Sequence, residues 1–307
     1  MKAMTYACYG EPDVMQLSDE PMPKVAPGEV LIRVRRAAVN PVDWKLMAGK
    51  LDAVMPTFFP VIPGWDVAGT VEAVGFDVPE FAVGDAVLAY ARKDYVQGGT
   101  YAEFVSVPAR SVARKPEALG WDEAGGLPLA GLTAYQLLTR LGIGRGDTVL
   151  IHAASGGVGV MGAQIARNLG GRVIGTASKK NHDFLGALGI EPVEYGDGLA
   201  ERVRELVPEG VDVVADFIGG VLPVTQAVLR EGGRHASIVD DSVPQAGGHY
   251  IWVRPSGSDL QVLADMAAEG RLEVPVAERF PLERAAEAMR LNQTGHVRGK
   301  VILQVAD

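Results

Sequence analysis

A glycine-rich segment between residues 148 and 170 has the residue types and spacing to bind a phosphate group. The apolar run TVLIHA leads into Ala153-x-x-Gly156-x-x-Gly159, and an amphipathic helix is expected to begin inside this motif. Glycine lets the backbone turn sharply and lets a pyrophosphate approach, and a helix N-terminus offers free N–H groups to the anion. A tight strand–helix turn without a ligand is the alternative. The predicted cofactor-binding turn comprises Ala154, Ser155, Gly156, Gly157, Val158 and Gly159.

The end of the next predicted strand distinguishes between two nicotinamide cofactors. An NAD-selective fold carries an Asp or Glu there to bind the adenosine ribose. The segment from Arg172 to His182 contains no acid and has Ser178, Lys179 and Lys180 instead. A hydroxyl group and a cation suit a 2′-phosphate, so these residues predict NADP(H), bound by Ser178 and Lys179. The alternative interpretation is a solvated lysine pair in a loop.

Composition and charge exclude several other functions. The 307 residues carry a formal net charge of −9 and contain no basic run, so neither nucleic acid nor an anionic membrane is an expected partner. Cys8 is the single cysteine, which excludes an intrachain disulfide and a cysteine-based zinc site and fits a cytoplasmic protein. The five histidines lack the spacing of metal ligands, so no metal is predicted.

The sequence has two regions with different patterns of predicted secondary structure, and these must position the candidate binding residues. Residues 1 to about 115 have closely spaced strand candidates at 30–39, 67–75, 86–91 and 101–107, and Gly and Pro between them favour a small barrel-like β domain. From residue 116 onwards, short apolar strands alternate with helical segments, which predicts a doubly wound parallel sheet. The six strands expected in that sheet are 148–153, 172–176, 192–195, 211–216, 234–239 and 249–253.

Eight segments in order resemble the medium-chain dehydrogenase/reductase superfamily, in particular its zinc-free, NADP-dependent quinone oxidoreductase branch, which is zeta-crystallin-like. The resemblance implies an α/β fold in which a Rossmann doubly wound parallel sheet is inserted into a GroES-like β-barrel catalytic domain. The implied domains are residues 1–115 plus 256–307 for the catalytic part and 116–255 for the NADP-binding part. The matching segments are AAVNPVDWK (37–45), PGWDVAGTVEAVG (63–75), FAVGDAV (81–87), GGTYAEFVSVPA (98–109), GLPLAGLTAY (126–135), HAASGGVGVMGAQIAR (152–167), TASKKNHDFLGALG (176–189) and GHVRGKVIL (295–303).

The resemblance also implies hydride transfer from NADPH to a quinone or an α,β-unsaturated carbonyl without a metal ion. Zinc-dependent relatives have a cysteine where this chain has Asn40, and Gly-His-Glu where it has Gly64-Trp65-Asp66. A zinc-free alcohol or aldehyde oxidoreductase and a non-catalytic NADP-binding regulatory protein remain alternatives. Relatives commonly dimerise along the sixth strand of the parallel sheet, so the resemblance and an apolar sheet edge predict a homodimer.

Three residues of the first region are candidate catalytic residues by the same resemblance. Asn40 and Asp43 belong to a loop expected at the nicotinamide end of the cofactor, and Tyr101 is the best hydroxyl candidate for a proton donor. An Asn-Pro turn at Asn40 and a packing role for Tyr101 are the alternatives. Trp44 and Trp65 are expected to form flat apolar walls of a substrate pocket, unless they belong to the core.

Further cofactor contacts are implied on both sides of the glycine-rich turn. By the resemblance, backbone groups at the end of the sixth strand bind the carboxamide of the nicotinamide. The C-terminal GHVRGK segment adds positive charge, and a solvated loop is the alternative for that segment. The residues concerned are Asn40, Thr133, Tyr195, Val239, Trp252, Val253, Arg254, Arg298 and Lys300.

Overall fold

A computed structural model describes residues 1–306, in which strands dominate the first third of the chain and alternate with helices afterwards. The strands are β1 (Lys2–Thr5), β2 (Gln16–Asp19), β3 (Glu29–Val39), β4 (Thr57–Ile62), β5 (Asp66–Val74), β6 (Ala86–Tyr90), β7 (Val96–Gly98), β8 (Phe104–Pro108), β9 (Val112–Arg114), β10 (Thr148–Ile151), β11 (Arg172–Ala177), β12 (Glu191–Glu194), β13 (Val211–Asp216), β14 (Leu229–Ser237), β15 (His249–Tyr250), β16 (Val276–Pro281) and β17 (Lys300–Gln304). The helices are α1 (Pro41–Met47), α2 (Trp121–Gly126), α3 (Pro128–Arg140), α4 (Gly157–Asn168), α5 (His182–Ala187), α6 (Leu199–Leu206), α7 (Leu222–Val228), α8 (Gly257–Ala268) and α9 (Ala285–Gln293).

The first of two compact units comprises Met1–Leu129, Pro255–Gly270 and Val274–Asp307. Its main sheet has the strand order β16-β17-β3-β5-β6-β9, and β8 also pairs with β3. The long strand β3 runs antiparallel to β17, β5 and β8. The predicted β-rich, GroES-like region is therefore confirmed, with the C-terminal strand β17 inserted beside β3.

Strand register brings three polar residues of this unit to one edge of the sheet. Asp66, the first residue of β5, lies opposite Ala38, and Val39 lies opposite Val301, so Lys300 starts β17 beside the end of β3. Asn40 directly follows β3. Side chains separated by up to 260 residues in the chain therefore become neighbours.

Residues 116–129 lie in the first unit, whereas the predicted division placed them with the second region. The reason is the packing of α2 against β3 and β5, in which Arg36 of β3 donates from Nε to the Asp122 carboxylate at 2.6 Å. In addition, the backbone N–H of Leu129 donates to the Asp66 carboxylate at 2.6 Å.

The second unit comprises Ala130–Arg254 and Arg271–Glu273 and contains a six-stranded parallel sheet. The strand order is β12-β11-β10-β13-β14-β15, which confirms the predicted doubly wound arrangement. Leu150, Ile174 and Val214 are buried at its centre and pack against Leu199 and Val203 of α6. Apolar strands that are covered on both faces explain the continuous hydrophobic runs in the sequence.

The sixth strand is shorter than predicted. Only His249 and Tyr250 pair with β14, and the chain then leaves the ladder. The backbone N–H of Arg254 instead donates to Oε1 of Gln136 at 3.0 Å. Trp252 and Arg254 therefore belong to an irregular segment after the strand.

None of the helices in residues 1–306 has the length and apolar character needed to cross a bilayer.

Candidate active site

The glycine-rich turn of the second unit links β10 to α4. Ala153 has a positive φ of 55°, and Gly156 caps the helix without any side-chain hydrogen bond to the first helical N–H groups. A Cβ atom at Gly159 would lie 2.1 Å from the carbonyl oxygen of Ala153, so only glycine allows the helix to approach the turn this closely. Free N–H groups at a helix N-terminus form a site for an anionic group.

Polar side chains connect this turn to the end of β11. Asn181 donates from Nδ2 to Oγ of Ser155 at 3.1 Å, and Ser178 Oγ lies 3.4 Å from the same amide nitrogen. Lys179 is exposed beside them. The structure thus brings the two predicted phosphate-binding segments together through Asn181, which the sequence analysis did not single out.

The other predicted cofactor residues of the second unit differ in exposure. Tyr195 and Val239 are exposed after β12 and β14, whereas Thr133 is buried in α3. Trp252 and Arg254 are exposed, and Val253 is half-buried. The loop after β14 is fixed by Ser237, whose Oγ accepts from the Val239 N–H at 3.1 Å.

A second cluster of polar side chains lies at the carboxyl ends of the central strands. Ser237 donates to Oδ2 of Asp216 at 2.7 Å, and Oδ1 of Asp216 accepts from the N–H groups of Ile218 and Gly219. His152 is buried after β10, and its Nε2 has no hydrogen-bond partner. Burial lowers the pKa of His152 to about 4, so the ring is neutral at pH 7. Ligands of open α/β sheets bind at this carboxyl edge.

The first unit contains a buried polar cluster around Asn40. The Lys300 ammonium donates to Oδ1 of Asn40, and Nδ2 of Asn40 donates to Oδ2 of Asp66 at 2.9 Å. Lys300 Nζ also lies 3.5 Å from the same carboxylate oxygen. Lys300 was predicted to add positive charge next to the cofactor. The structure instead places this ammonium inside the first unit with 3% of the side chain exposed, because it pairs with a buried carboxylate.

Asp43 extends this cluster towards Tyr101. Its Oδ2 accepts from the Asn40 backbone N–H at 2.8 Å and from the Tyr101 hydroxyl at 3.0 Å. Its Oδ1 is buried and has no hydrogen-bond partner. Burial raises the pKa of Asp43 to about 7, although both hydrogen bonds oppose that rise. The predicted catalytic residues Asn40, Asp43 and Tyr101 are therefore in direct contact.

Tyr101 cannot release its proton easily in this setting. The side chain is fully buried, and its hydroxyl is directed at Asp43. Burial and the neighbouring carboxyl group raise the pKa of Tyr101 well above its usual value. The ring is held against Gly64, where φ is +91° and an added Cβ would lie 2.3 Å from a ring carbon. This glycine thus makes room for the tyrosine.

A pocket of the first unit is lined by Asp43 and by aromatic side chains. Its free volume is about 10 Å³, which is room for about one water molecule. Trp65 lines this pocket, is almost completely buried and packs edge-on against Tyr90, so its role as a substrate wall stays a prediction. Trp44 is half-buried elsewhere and donates from Nε1 to Asn292 at 3.1 Å. Tyr6, Tyr95 and Lys93 also line the pocket, and none of these was predicted.

Comparisons with known proteins agree with the fold. The family described as alcohol dehydrogenase GroES-like domain matches residues 26–117, and the family described as zinc-binding dehydrogenase matches residues 188–303. An NADPH-dependent alkenal/one oxidoreductase of Arabidopsis thaliana, named as chloroplastic, is 34% identical over 313 residues, covering 99% of this chain and 79% of the relative.

Solved structures extend the likeness over the whole length. The quinone oxidoreductase from Coxiella burnetii has a TM-score of 0.89 and 34% identity, covering 100% of this chain and 99% of its own. A mycobacterial protein complexed with NADPH has a TM-score of 0.85 and 31% identity, covering 99% of this chain and 100% of its own.

Asn40, Trp65 and Asp66, which the sequence analysis compared with zinc ligands, do not fit a zinc ion. Asn40 Oδ1 accepts from the Lys300 ammonium, the Trp65 indole offers no ligand atom, and Asp66 is engaged by N–H donors and Lys300. In residues 1–306, no three or more His, Cys, Asp or Glu side chains are placed to hold a metal.

Proposed function

This chain belongs to the medium-chain dehydrogenase/reductase superfamily, and we propose on that basis that it is an NADPH-dependent oxidoreductase. It transfers a hydride to a quinone or an α,β-unsaturated carbonyl compound. The names of its relatives, an alkenal/one oxidoreductase and a quinone oxidoreductase, support this reaction. The observation that carries the proposal is the glycine-rich turn at Gly156–Gly159, next to Ser178 and Lys179, where an NAD-binding fold would have an acid.

NADP(H) fits the residues of the second unit. The α4 N-terminus would hold the pyrophosphate, and Ser178 and Lys179 would hold the 2′-phosphate, while Asn181 keeps Ser155 and Ser178 close to each other. Tyr195, Val239 and the segment from Trp252 to Arg254 are the further proposed contacts. When bound, the reduced nicotinamide supplies two electrons and a proton as hydride.

We propose that the reaction needs no zinc. The positive charge of the first-unit cluster comes from Lys300, which neutralises Asp66 and is fixed by Asn40. Arg298 is exposed near the start of β17 and remains a proposed source of positive charge towards the cofactor.

We propose a conjugated substrate from the names of the relatives, because the first-unit pocket has free volume for only about one water molecule. Conjugation also lets the negative charge created by hydride addition spread onto the carbonyl oxygen. Asn40, Asp43 and Tyr101 are the proposed catalytic group, and Asp43 is the member that reaches the pocket.

Assembly and location are also proposed. A homodimer is supported by β15, which pairs on one side only, and by the exposed Trp252 that follows it. Sedimentation showing only monomer would remove this idea. A cytoplasmic location is supported by the single cysteine, Cys8, and is tested by cell fractionation, since the Arabidopsis relative is named as chloroplastic.

The experiment is an acceptor panel with NADPH and NADH. Quinones, enones and saturated aldehydes are offered in turn, with and without prior chelation, while nicotinamide absorbance is followed. We expect turnover of quinones or enones with NADPH, unchanged by the chelator. Rapid aldehyde turnover would replace this substrate class by that of an alcohol/aldehyde oxidoreductase. Tight NADPH binding without turnover of any acceptor would instead identify a non-catalytic cofactor-binding protein.

A further inference from the structure

We infer that Asn181 determines the preference for NADP(H) over NAD(H): its side-chain amide holds the Ser178 hydroxyl as an acceptor and leaves the hydroxyl hydrogen for the 2′-phosphate. Asn181 is a positioning residue, which acts through Ser178 and is tied to the glycine-rich turn at Ser155. The inference rests on the proposed function and deepens it, since it names a residue on which the choice of cofactor depends. All three residues belong to the second unit.

The side chains of Asn181, Ser155 and Ser178 meet at the carboxyl ends of β10 and β11. Asn181 donates from Nδ2 to Ser155 Oγ at 3.1 Å and to Ser178 Oγ at 3.4 Å. Its backbone N–H also donates to the Ser178 carbonyl oxygen at 2.8 Å, which closes a tight turn over residues 178–181. One amide nitrogen therefore links the loop after β11 to the glycine-rich turn.

The glycine-rich turn has its own hydrogen bonds to β11, through the buried Thr176. The N–H of Ala153 donates to Thr176 Oγ1 at 2.9 Å, and the N–H of Ala154 donates to the Thr176 carbonyl oxygen at 2.9 Å. The turn is thus held against β11 without Asn181. Loss of the Asn181 amide should therefore disturb the loop at residues 178–181 and leave the pyrophosphate site in place.

The direction of the hydrogen bonds decides what the two serines can offer a ligand. An amide nitrogen donates and cannot accept, so both serine oxygens are acceptors towards Asn181. In residues 1–306, neither Ser155 nor Ser178 donates its hydroxyl hydrogen to a protein group. The two other serines of the second unit, Ser237 and Ser242, each donate to an aspartate. Ser155 and Ser178 therefore keep their hydrogens for an anionic ligand.

The surroundings of Ser178 suit a phosphate group better than a ribose hydroxyl. Ser178 is partly exposed, and Lys179 beside it is exposed. In the register of β11 and β12, Tyr195 directly follows the strand end that lies next to Ser178. A phosphate monoester carries nearly two negative charges and three acceptor oxygens, and hydrogen bonds to a charged group are the stronger ones. The 2′-hydroxyl of NAD(H) gains less from the same donors.

The first variant is Asn181→Asp, which keeps the shape of the side chain but, when ionised, only accepts hydrogen bonds. The serine hydroxyl then donates to the new carboxylate, which also repels a phosphate. We expect the affinity for adenosine 2′,5′-bisphosphate, measured by calorimetry, to fall about 10- to 100-fold. The affinity for 5′-AMP, which lacks only the 2′-phosphate, should stay nearly unchanged. An equal loss for both nucleotides would indicate a merely structural role and overturn the inference.

Asn168→Asp is the matched control, because it adds the same charge to the second unit at the other end of α4. Asn168 is exposed and donates from Nδ2 to the carbonyl oxygen of Arg271 at 2.8 Å. We expect no change in the affinity for either nucleotide. If Asn168→Asp lost as much affinity for the bisphosphate as Asn181→Asp, the net charge would be responsible, and the inference would be wrong.

A double-mutant cycle tests whether Asn181 acts through Ser178, also in the case that Asn181→Asp fails to fold. Asn181→Leu removes both donors without adding charge, and we expect it to weaken binding of the bisphosphate about 3- to 10-fold. In a Ser178→Ala background the same substitution should add little, since the hydroxyl that the amide positions is already absent. Independent, additive losses would overturn the inference.

Binding of the two nucleotides needs no electron acceptor, so its outcome is separate from that of the acceptor panel. Equal affinity of the wild type for the bisphosphate and 5′-AMP overturns the inference, while turnover of a quinone or an enone with NADH would leave hydride transfer standing. Absence of turnover with every quinone and enone refutes the proposed function instead, and a measured dependence of 2′-phosphate binding on Asn181 stays valid.

Discussion

Replacement of Lys300 by methionine tests the buried cluster most directly. The ammonium is buried, its partner Asp66 is fully buried, and their charged atoms lie 3.5 Å apart. Removing one partner of a buried ion pair costs about 3–5 kcal/mol, because the other charge stays buried. Asp66 keeps two N–H donors in the variant, so we expect a loss of about 3 kcal/mol in the free energy of unfolding of the first unit.

The assay is urea unfolding followed by tryptophan fluorescence. The first unit contains Trp44, Trp65 and Trp121, so a Trp252→Phe background restricts the signal to that unit and avoids a mixed transition of two units. Lys2→Met is the matched control, since its ion pair with Asp19 is exposed to solvent, and we expect no measurable change from it.

Two further measurements decide whether the burial of an unpaired charge causes the loss of stability in Lys300→Met. The double variant Lys300→Met/Asp66→Asn removes both charges and should recover most of the loss. Without Lys300, the folded-state pKa of Asp66 rises further, so the penalty should shrink as the pH falls and the carboxyl group takes up a proton. A loss below about 1 kcal/mol, or a double variant as unstable as the single one, would refute the reasoning.

Four other predictions concern the proposed cofactor site of the second unit and the titration of Asp43 and His152. Lys179→Glu should weaken NADPH binding about 10- to 100-fold, equivalent to about 1.5–3 kcal/mol, and leave NADH binding nearly unchanged in calorimetry; an equal effect on both would contradict the assignment. Gly159→Ala should cost about 1–3 kcal/mol and weaken NADPH binding, whereas Gly186→Ala, an open helical position, should leave binding intact in the same thermal and calorimetric assays. Because the folded-state pKa of Asp43 is raised, wild type should lose stability relative to Asp43→Asn as the pH rises from 5 to 8, as urea titrations at each pH will show. Because the pKa of His152 is lowered, wild type should lose stability relative to His152→Asn as the pH falls from 7 to 4, and parallel curves would contradict this.

Local sequence patterns were sufficient to predict the parallel sheet and the glycine-rich turn of the second unit. The alternation of apolar strands with helical segments predicted the parallel sheet, and the spacing of Gly156 and Gly159 predicted the turn that the structure contains. Both depend on residues within one strand–helix unit, where propensity and glycine geometry dominate. The end of the sixth strand was not predictable in this way, because Arg254 hydrogen-bonds to Gln136, which is 118 residues away in the chain.

The roles of the first-unit residues depended on distant partners. The resemblance singled out Asn40, Asp43 and Tyr101, but nothing near Lys300 in the sequence indicated that its ammonium would contact Asn40. Only the pairing of β17 with β3 and of β3 with β5 brings these groups together.

The amino-acid sequence by itself predicted the class of fold, the glycine-rich turn and the preference for NADP(H), because these follow from short-range periodicity and from side-chain chemistry within one segment. The tertiary structure decided which charges are buried, which carboxylate is neutralised and which oxygen is left without a partner. Protonation depends on the groups within a few ångströms and on the exclusion of water, and both are properties of the packed chain.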